Sequence, residues 1–196
     1  MVAAEKETGL EQLLKKRDTL ITMAGTLEEF QALGETKADF IGGYIYIQMG
    51  ASVTHERLFS KIFLHLGMFV AQDQLGEVFG SRLSVGITKD YHPEPDIFFV
   101  SKDNPGQYAN DRFDGIPDLV IEIISPSTRK LDLDEKRPLY QQNRVPEVYF
   151  VDVAKKLVMI DVLEDGAYVS LSLRDGTFAS RALPGLTWEI EKMYSA

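Results

Sequence analysis

The sequence predicts a protein of the α/β class, and three observations carry that prediction. The stretch PDLVIEIISPST, Pro117 to Thr128, holds an aliphatic, β-branched run typical of a strand buried on both faces. Leu58, Ile62, Leu66, Phe69 and Val70 recur at helical spacing over about Thr54 to Gln72. Beyond residue 157, apolar and polar residues alternate in short runs, as in an antiparallel meander with one wet face. At 196 residues the chain suits one domain with a sizeable core. Residues 26–196 are assigned to that domain and 1–25 to an N-terminal helical extension, with Leu10, Leu13 and Leu14 at helical spacing.

Taken in order, Thr26 and Glu29 form a capping box, and Gly34 stands where a C-terminal cap belongs. ADFIGGYIYIQM reads as two strands joined at Gly42-Gly43. The long helix over 54–72 carries His55 in its first turn, either aimed at a site or merely capping. Leu83 to Ile87 alternate as a half-buried strand. Pro95 to Ser101 follow as another, with Asp96, Phe98 and Val100 on one face. KDNPGQYANDRFDGIP, full of turn formers, predicts a long loop before the central strand. Asp132 to Asn143 has helical character. Pro138 fits a first turn and not an interior, so the helix is expected to start near Asp134 or Glu135. VPEVYFVDV is a strand, and segments near 158–163, 168–173 and 178–183 make the expected meander.

Composition excludes several classes. There is no cysteine, hence no disulfide, thiolate zinc site or cysteine nucleophile. No run approaches the roughly 20 apolar residues of a membrane span, and the first residues lack a signal-peptide core. A cytoplasmic location without membrane contact is therefore expected. The net charge of −9, from 30 acidic and 21 basic residues, weighs against a general nucleic-acid-binding surface but not against a local basic cleft.

Two acidic residues intrude into apolar strands: Glu122 in the central run and Asp96 at the start of the preceding one. A lone buried carboxylate costs several kcal/mol unless a cation or proton meets it. The pair therefore suggests a metal held between neighbouring strands. Asp118 shares the Glu122 face and is either a further ligand or the solvated end of the strand.

These segments, with D-x-x-x-K-x-x-x-Y at 132–140, TLEEFQAL at 26–33 and LPGLTWEIEKMY at the end, resemble the bacterial Uma2 family (DUF820). The resemblance spans about Thr26 to Tyr194. It implies membership of the PD-(D/E)XK superfamily, with a restriction-endonuclease-like core: a mixed β-sheet flanked by helices. By motif position Asp96 matches the PD aspartate and Glu122 the D/E position. The usual lysine position holds Ile124, and Lys136 on the following helix substitutes. Arg144 stands where the family has a glycine, and Pro138 where a small residue is common.

The implied activity is a metal-dependent endonuclease hydrolysing phosphodiester bonds in DNA. Asp96, Glu122 and the Ile123 backbone carbonyl would hold Mg²⁺ or Mn²⁺, as hard oxygen ligands favour. Lys136 would serve the transition state, and a homodimer would suit cutting two strands. Each residue also has a plainer reading. Glu122 could be a structural partner of Lys136 or Arg129, Asp96 a turn cap, Lys136 an exposed i,i+4 partner of Asp132, and Tyr140 a packing residue. The rival function is a non-catalytic interaction module on the same fold. A two-carboxylate glycosidase is a poor third, with a single Trp, at 188.

Overall fold

The computed structural model describes residues 19–34, 36–109 and 111–195. The chain runs β1 (Thr19–Ala24), α1 (Leu27–Gln31), β2 (Ala38–Ile41), β3 (Tyr44–Met49), α2 (Val53–Gln72), β4 (Gly76–Gly80), β5 (Ser84–Gly86), β6 (Tyr91–His92), β7 (Ile97–Ser101), β8 (Gln107–Ala109), β9 (Arg112–Asp114) and β10 (Leu119–Ile124). A π-helical turn (Leu131–Lys136) leads directly into α3 (Arg137–Gln142). Then follow β11 (Glu147–Asp152), β12 (Leu157–Glu164), β13 (Ala167–Leu173), β14 (Thr177–Ala179), β15 (Thr187–Glu189) and α4 (Ile190–Tyr194). None of the described helices is long and apolar enough to cross a membrane.

The main sheet has the order β13-β12-β11-β10-β7-β4, with β10 and β11 parallel and every other pair antiparallel. It is the mixed sheet expected. Period 2 sends Leu119, Ile121 and Ile123 to one face, where they meet Leu58, Ile62, Leu66 and Val70 of α2 and Trp188 and Ile190 from the chain end. Val120 and Ile124 face the other way, with Phe98, Val148 and Phe150, onto Leu131, Leu139 and Tyr140. Glu122 belongs by alternation to this second face.

A smaller sheet, β1-β3-β2-β6, covers part of that second face. Its β2–β3 hairpin turns at Gly42 and Gly43, both in the left-handed region at φ 57° and 82°, which glycine adopts without steric cost. Ala38 and Phe40 pack against Phe30 of α1, whose capping box joins Thr26 and Glu29 as expected. The alternate residues Lys37, Asp39 and Ile41 therefore turn toward the main sheet.

Four details differ from the sequence expectation. Thr19–Ala24 is a strand paired along its length with β3, not the end of a helical extension. The helix expected before it lies outside the described residues. The loop from Lys102 contains a hairpin, β8–β9, whose second strand runs parallel to β5. The meander ends at β13, because β14 pairs with β15 in a separate ribbon carrying Trp188 into the core. Finally, the helix after the central strand begins by Arg129, not near Asp134 or Glu135. A π turn precedes Pro138, with the Arg137 N–H bonded five residues back to the Asp132 carbonyl. That wider turn accommodates the proline within a continuing helix.

Candidate active site

The two sheets, the start of α2 and the π turn enclose a cleft of about 790 Å³ lined by Lys37, His55, Arg82, Asp96, Glu122 and Asp132 among others. The β7–β10 register pairs Ile97 with Ile121 and, carried one step further, sets Asp96 beside Glu122. The Asp96 N–H faces Glu122 Oε2 at 3.4 Å. The two carboxyl groups thus sit side by side on neighbouring strands.

Asp96 is fully engaged. Its Oδ2 accepts from the Ile123 N–H at 2.8 Å and lies 3.4 Å from His55 Nε2, while Oδ1 is paired with Lys37 Nζ. Burial works against the charged form, yet Lys37 and His55 hold Asp96 far below the usual carboxylate range. His55 is pulled down by burial but raised on balance by its hydrogen bond to Asp96. Its position follows from local sequence: Ser52 caps α2 by accepting from the His55 N–H at 3.1 Å.

Glu122 is held differently. Oε1 accepts from Tyr140 Oη at 2.6 Å and Lys136 Nζ at 3.2 Å, leaving Oε2 with the long Asp96 contact. Burial pushes its carboxyl up, with Lys136 opposing and Asp96 and Asp39 adding. Lys136 is 1% exposed and lies 2.9 Å from Asp39, 3.2 Å from Glu122 and 3.8 Å from Asp132. Burial alone would lower its pKa, but those three carboxyls hold it well above the ordinary lysine value. Lys136 does not line the cleft.

Several sequence expectations are thereby sorted. Asp96, Glu122, Ile123, His55, Tyr140 and Lys136 are brought together. Tyr140 is a hydrogen-bond donor to Glu122, not a packing residue alone. Lys136 is not exposed; it is the buried partner of Glu122 and of Asp39. Arg129 instead pairs with Asp152. Asp118 is not a ligand candidate: its Oδ2 accepts from the Ser101 N–H and Asn104 Nδ2, each at 2.8 Å. Four residues of strand put it about 13 Å from Glu122.

Four residues escaped sequence reading, and Asp132 entered it only as a motif residue and helical partner of Lys136. Lys37 and Asp39 alternate with the buried Ala38 and Phe40, a signal that two charges share the inward face of β2. Glu94 lies two residues before Asp96 and accepts from the Ala38 N–H at 3.1 Å; burial and neighbouring Asp39 push it up to about 7. Asp132 is buried and pushed well up by desolvation, against the pull of Lys136. Arg82, in the cleft wall, holds a left-handed φ of 85°, a strained state that concentrates at functional sites.

The donor set matches a hard divalent ion. Among the described residues no three His, Asp or Glu side chains gather as a ready-made cage. Mg²⁺, however, usually takes one or two carboxylates and keeps water or substrate oxygens on its other positions. Asp39, Glu94, Asp96, Glu122 and Asp132 gather carboxyl oxygens around Lys37 and Lys136, a donor chemistry suited to a hard ion.

The fold is thus a mixed sheet flanked by helices, with Asp96 and Glu122 paired at its cleft. The family model described as "Uma2: Putative restriction endonuclease" matches residues 27–191. The chain belongs to the Uma2 family. Among solved structures it is similar to one described as a "putative nuclease belonging to DUF820" from Anabaena variabilis. The TM-score is 0.71 and the identity 19%, over 86% of this chain and 97% of that one, which supports the shared fold. No curated protein matches.

Proposed function

We propose that the protein is a metal-dependent endonuclease acting on DNA. The observation that carries this reading is the pairing of Asp96 with Glu122 across β7 and β10, at a cleft of about 790 Å³. Asp96, Glu122 Oε2 and the Ile123 carbonyl would hold Mg²⁺ or Mn²⁺. An ion there would supply Lewis acidity and lower the pKa of a bound water. Tyr140 and Lys136 fix the Glu122 carboxylate through Oε1, so that Oε2, met only by the long Asp96 N–H contact, would turn to the ion. His55 donates to Asp96 and so orients it. Arg82 and Lys37, the cleft's basic side chains, are placed to meet phosphate oxygens. A two-fold assembly would let paired sites cut both strands.

A second reading, an interaction module on the same fold, is favoured by one observation: both Asp96 oxygens already have partners within the chain. Plasmid cleavage with Mg²⁺ or Mn²⁺, beside Asp96→Asn, separates the two. Nicking or linearisation lost in Asp96→Asn is expected. Equal activity in that variant, or none in the wild type with either ion, would reject the nuclease reading.

A further inference from the structure

Lys37 and Lys136 differ in a way that assigns them opposite roles. Lys136 is clamped by three carboxyls and sealed from the cleft, so no movement of its ammonium is open to it without stranding buried charge. The Lys37 side chain is 18% exposed, lines the cleft and pairs with one carboxylate oxygen, Asp96 Oδ1. Its backbone is fixed just ahead of β2, the Lys37 carbonyl accepting from the Gln48 N–H at 2.9 Å. The four-carbon stem is therefore the movable part, a flexible chain carrying a point charge.

We propose that Lys37 is a displaceable counter-ion: its ammonium occupies Asp96 Oδ1 until a divalent cation takes that oxygen, and it then turns into the cleft to bind a substrate phosphate. This inference rests on the nuclease reading. It explains why Asp96, with partners on both oxygens, can still be a ligand. The Ile123 N–H and His55 hold one oxygen in place, while the other is guarded by a group able to move. It also accounts for two charge states of the cleft. Without the divalent ion Lys37 neutralises the floor; with it, the floor is neutralised and the freed ammonium adds positive charge to an otherwise acidic protein where a phosphate must sit.

The test is titration of Mn²⁺ into metal-stripped full-length protein, wild type and Lys37→Met, by calorimetry. Methionine approximates the stem and removes the charge, so the variant should bind Mn²⁺ on the order of tenfold more tightly, as for loss of a partly screened competing ion pair. In Ca²⁺, duplex oligonucleotide binding should lose about 0.9 from the slope of log K against log salt, one phosphate contact. Unchanged or weaker Mn²⁺ binding by Lys37→Met, with circular dichroism matching the wild type, would overturn the counter-ion role. Tighter Mn²⁺ binding with an unchanged salt slope would overturn the phosphate role. Lys37→Arg, which keeps the charge in a fork better suited to a carboxylate, guards against a misfolded methionine variant and should bind Mn²⁺ more weakly than Lys37→Met. Absence of Mn²⁺ binding in wild type and variants alike would instead sink the nuclease reading, and the inference with it.

Discussion

Replacing Lys136 with methionine separates a structural anchor from a catalytic cation. The ammonium lies 2.9, 3.2 and 3.8 Å from the carboxyls of Asp39, Glu122 and Asp132, all of them buried. Methionine fills much of the volume but leaves three acidic groups without their cation. Breaking a buried pair by removing one partner costs about 3–5 kcal/mol. The cost is bounded because buried carboxyls can take up protons instead of remaining charged. Burial already pushes Glu122 and Asp132 upward, and losing Lys136 must raise them further. Groups with raised folded pKa values contribute stability below their unfolded pKa and lose it as pH rises through the folded value. The deficit should therefore be largest near pH 7.5 and shrink toward pH 5. Against a typical domain stability of roughly 5–15 kcal/mol, the variant would be marginal at neutral pH. Urea unfolding by circular dichroism in EDTA at both values measures it; failure to fold at pH 7.5 with recovery at pH 5 is within expectation. A loss below about 1 kcal/mol, or an equal loss at both pH values, would refute the anchoring role.

Two further outcomes are expected. Glu94, raised from 4.5 to about 7, binds a proton more readily folded than unfolded, so its linkage lowers stability as pH climbs between those values, by on the order of 3 kcal/mol. Glu94→Gln keeps an acceptor for the Ala38 N–H and should flatten that slope in urea titrations at pH 5, 6 and 7; an unchanged slope would place the titration elsewhere. Arg144 occupies the left-handed position after α3 at φ 63°, with the Val145 N–H bonded to the Tyr140 carbonyl and the Arg144 N–H to that of Gln141. Arg144→Gly should raise stability by about 0.5–1 kcal/mol, and a lowered melting temperature would contradict the strain argument.

Asp96 and Glu122 were legible because a charge within an apolar run demands a partner, and the strand pattern already set their faces. Arg144 stood out only against the family pattern, and its left-handed backbone gives the physical reason for the glycine found there. Lys37 and Asp39 were not: alternation with Ala38 and Phe40 puts both on one face, but what that face meets depends on one sheet lying over another, which no spacing encodes. The same limit hid Lys136's true neighbours. Its helical i,i+4 relation to Asp132 is local, but Asp39 reaches it from nearly one hundred residues upstream. Pro138 misled for a different reason: an α-helical ruler was applied to a stretch that winds more widely. β14 falls outside the expected meander because alternation identifies a strand without naming its partner.

The π turn also makes this region sensitive to length. From Leu131 to Lys136 the backbone accommodates more residues per turn than an α-helix, and the slack lets Lys136 and Tyr140 both reach Glu122 while Pro138 sits inside the same helix. A residue removed between Leu131 and Glu135 would let the turn tighten to α geometry with its flanks still on their faces, whereas a residue added there meets a turn already wound widely. Everything on one side of the insertion would then rotate by about 100° relative to the other. Substitutions at the solvent-facing Asp134 or Glu135 should be absorbed easily, whereas an insertion at either would act at a distance, uncoupling the strand-borne carboxylate from the helix that holds it. Chains of this architecture should therefore tolerate drift in composition across the segment and resist added residues.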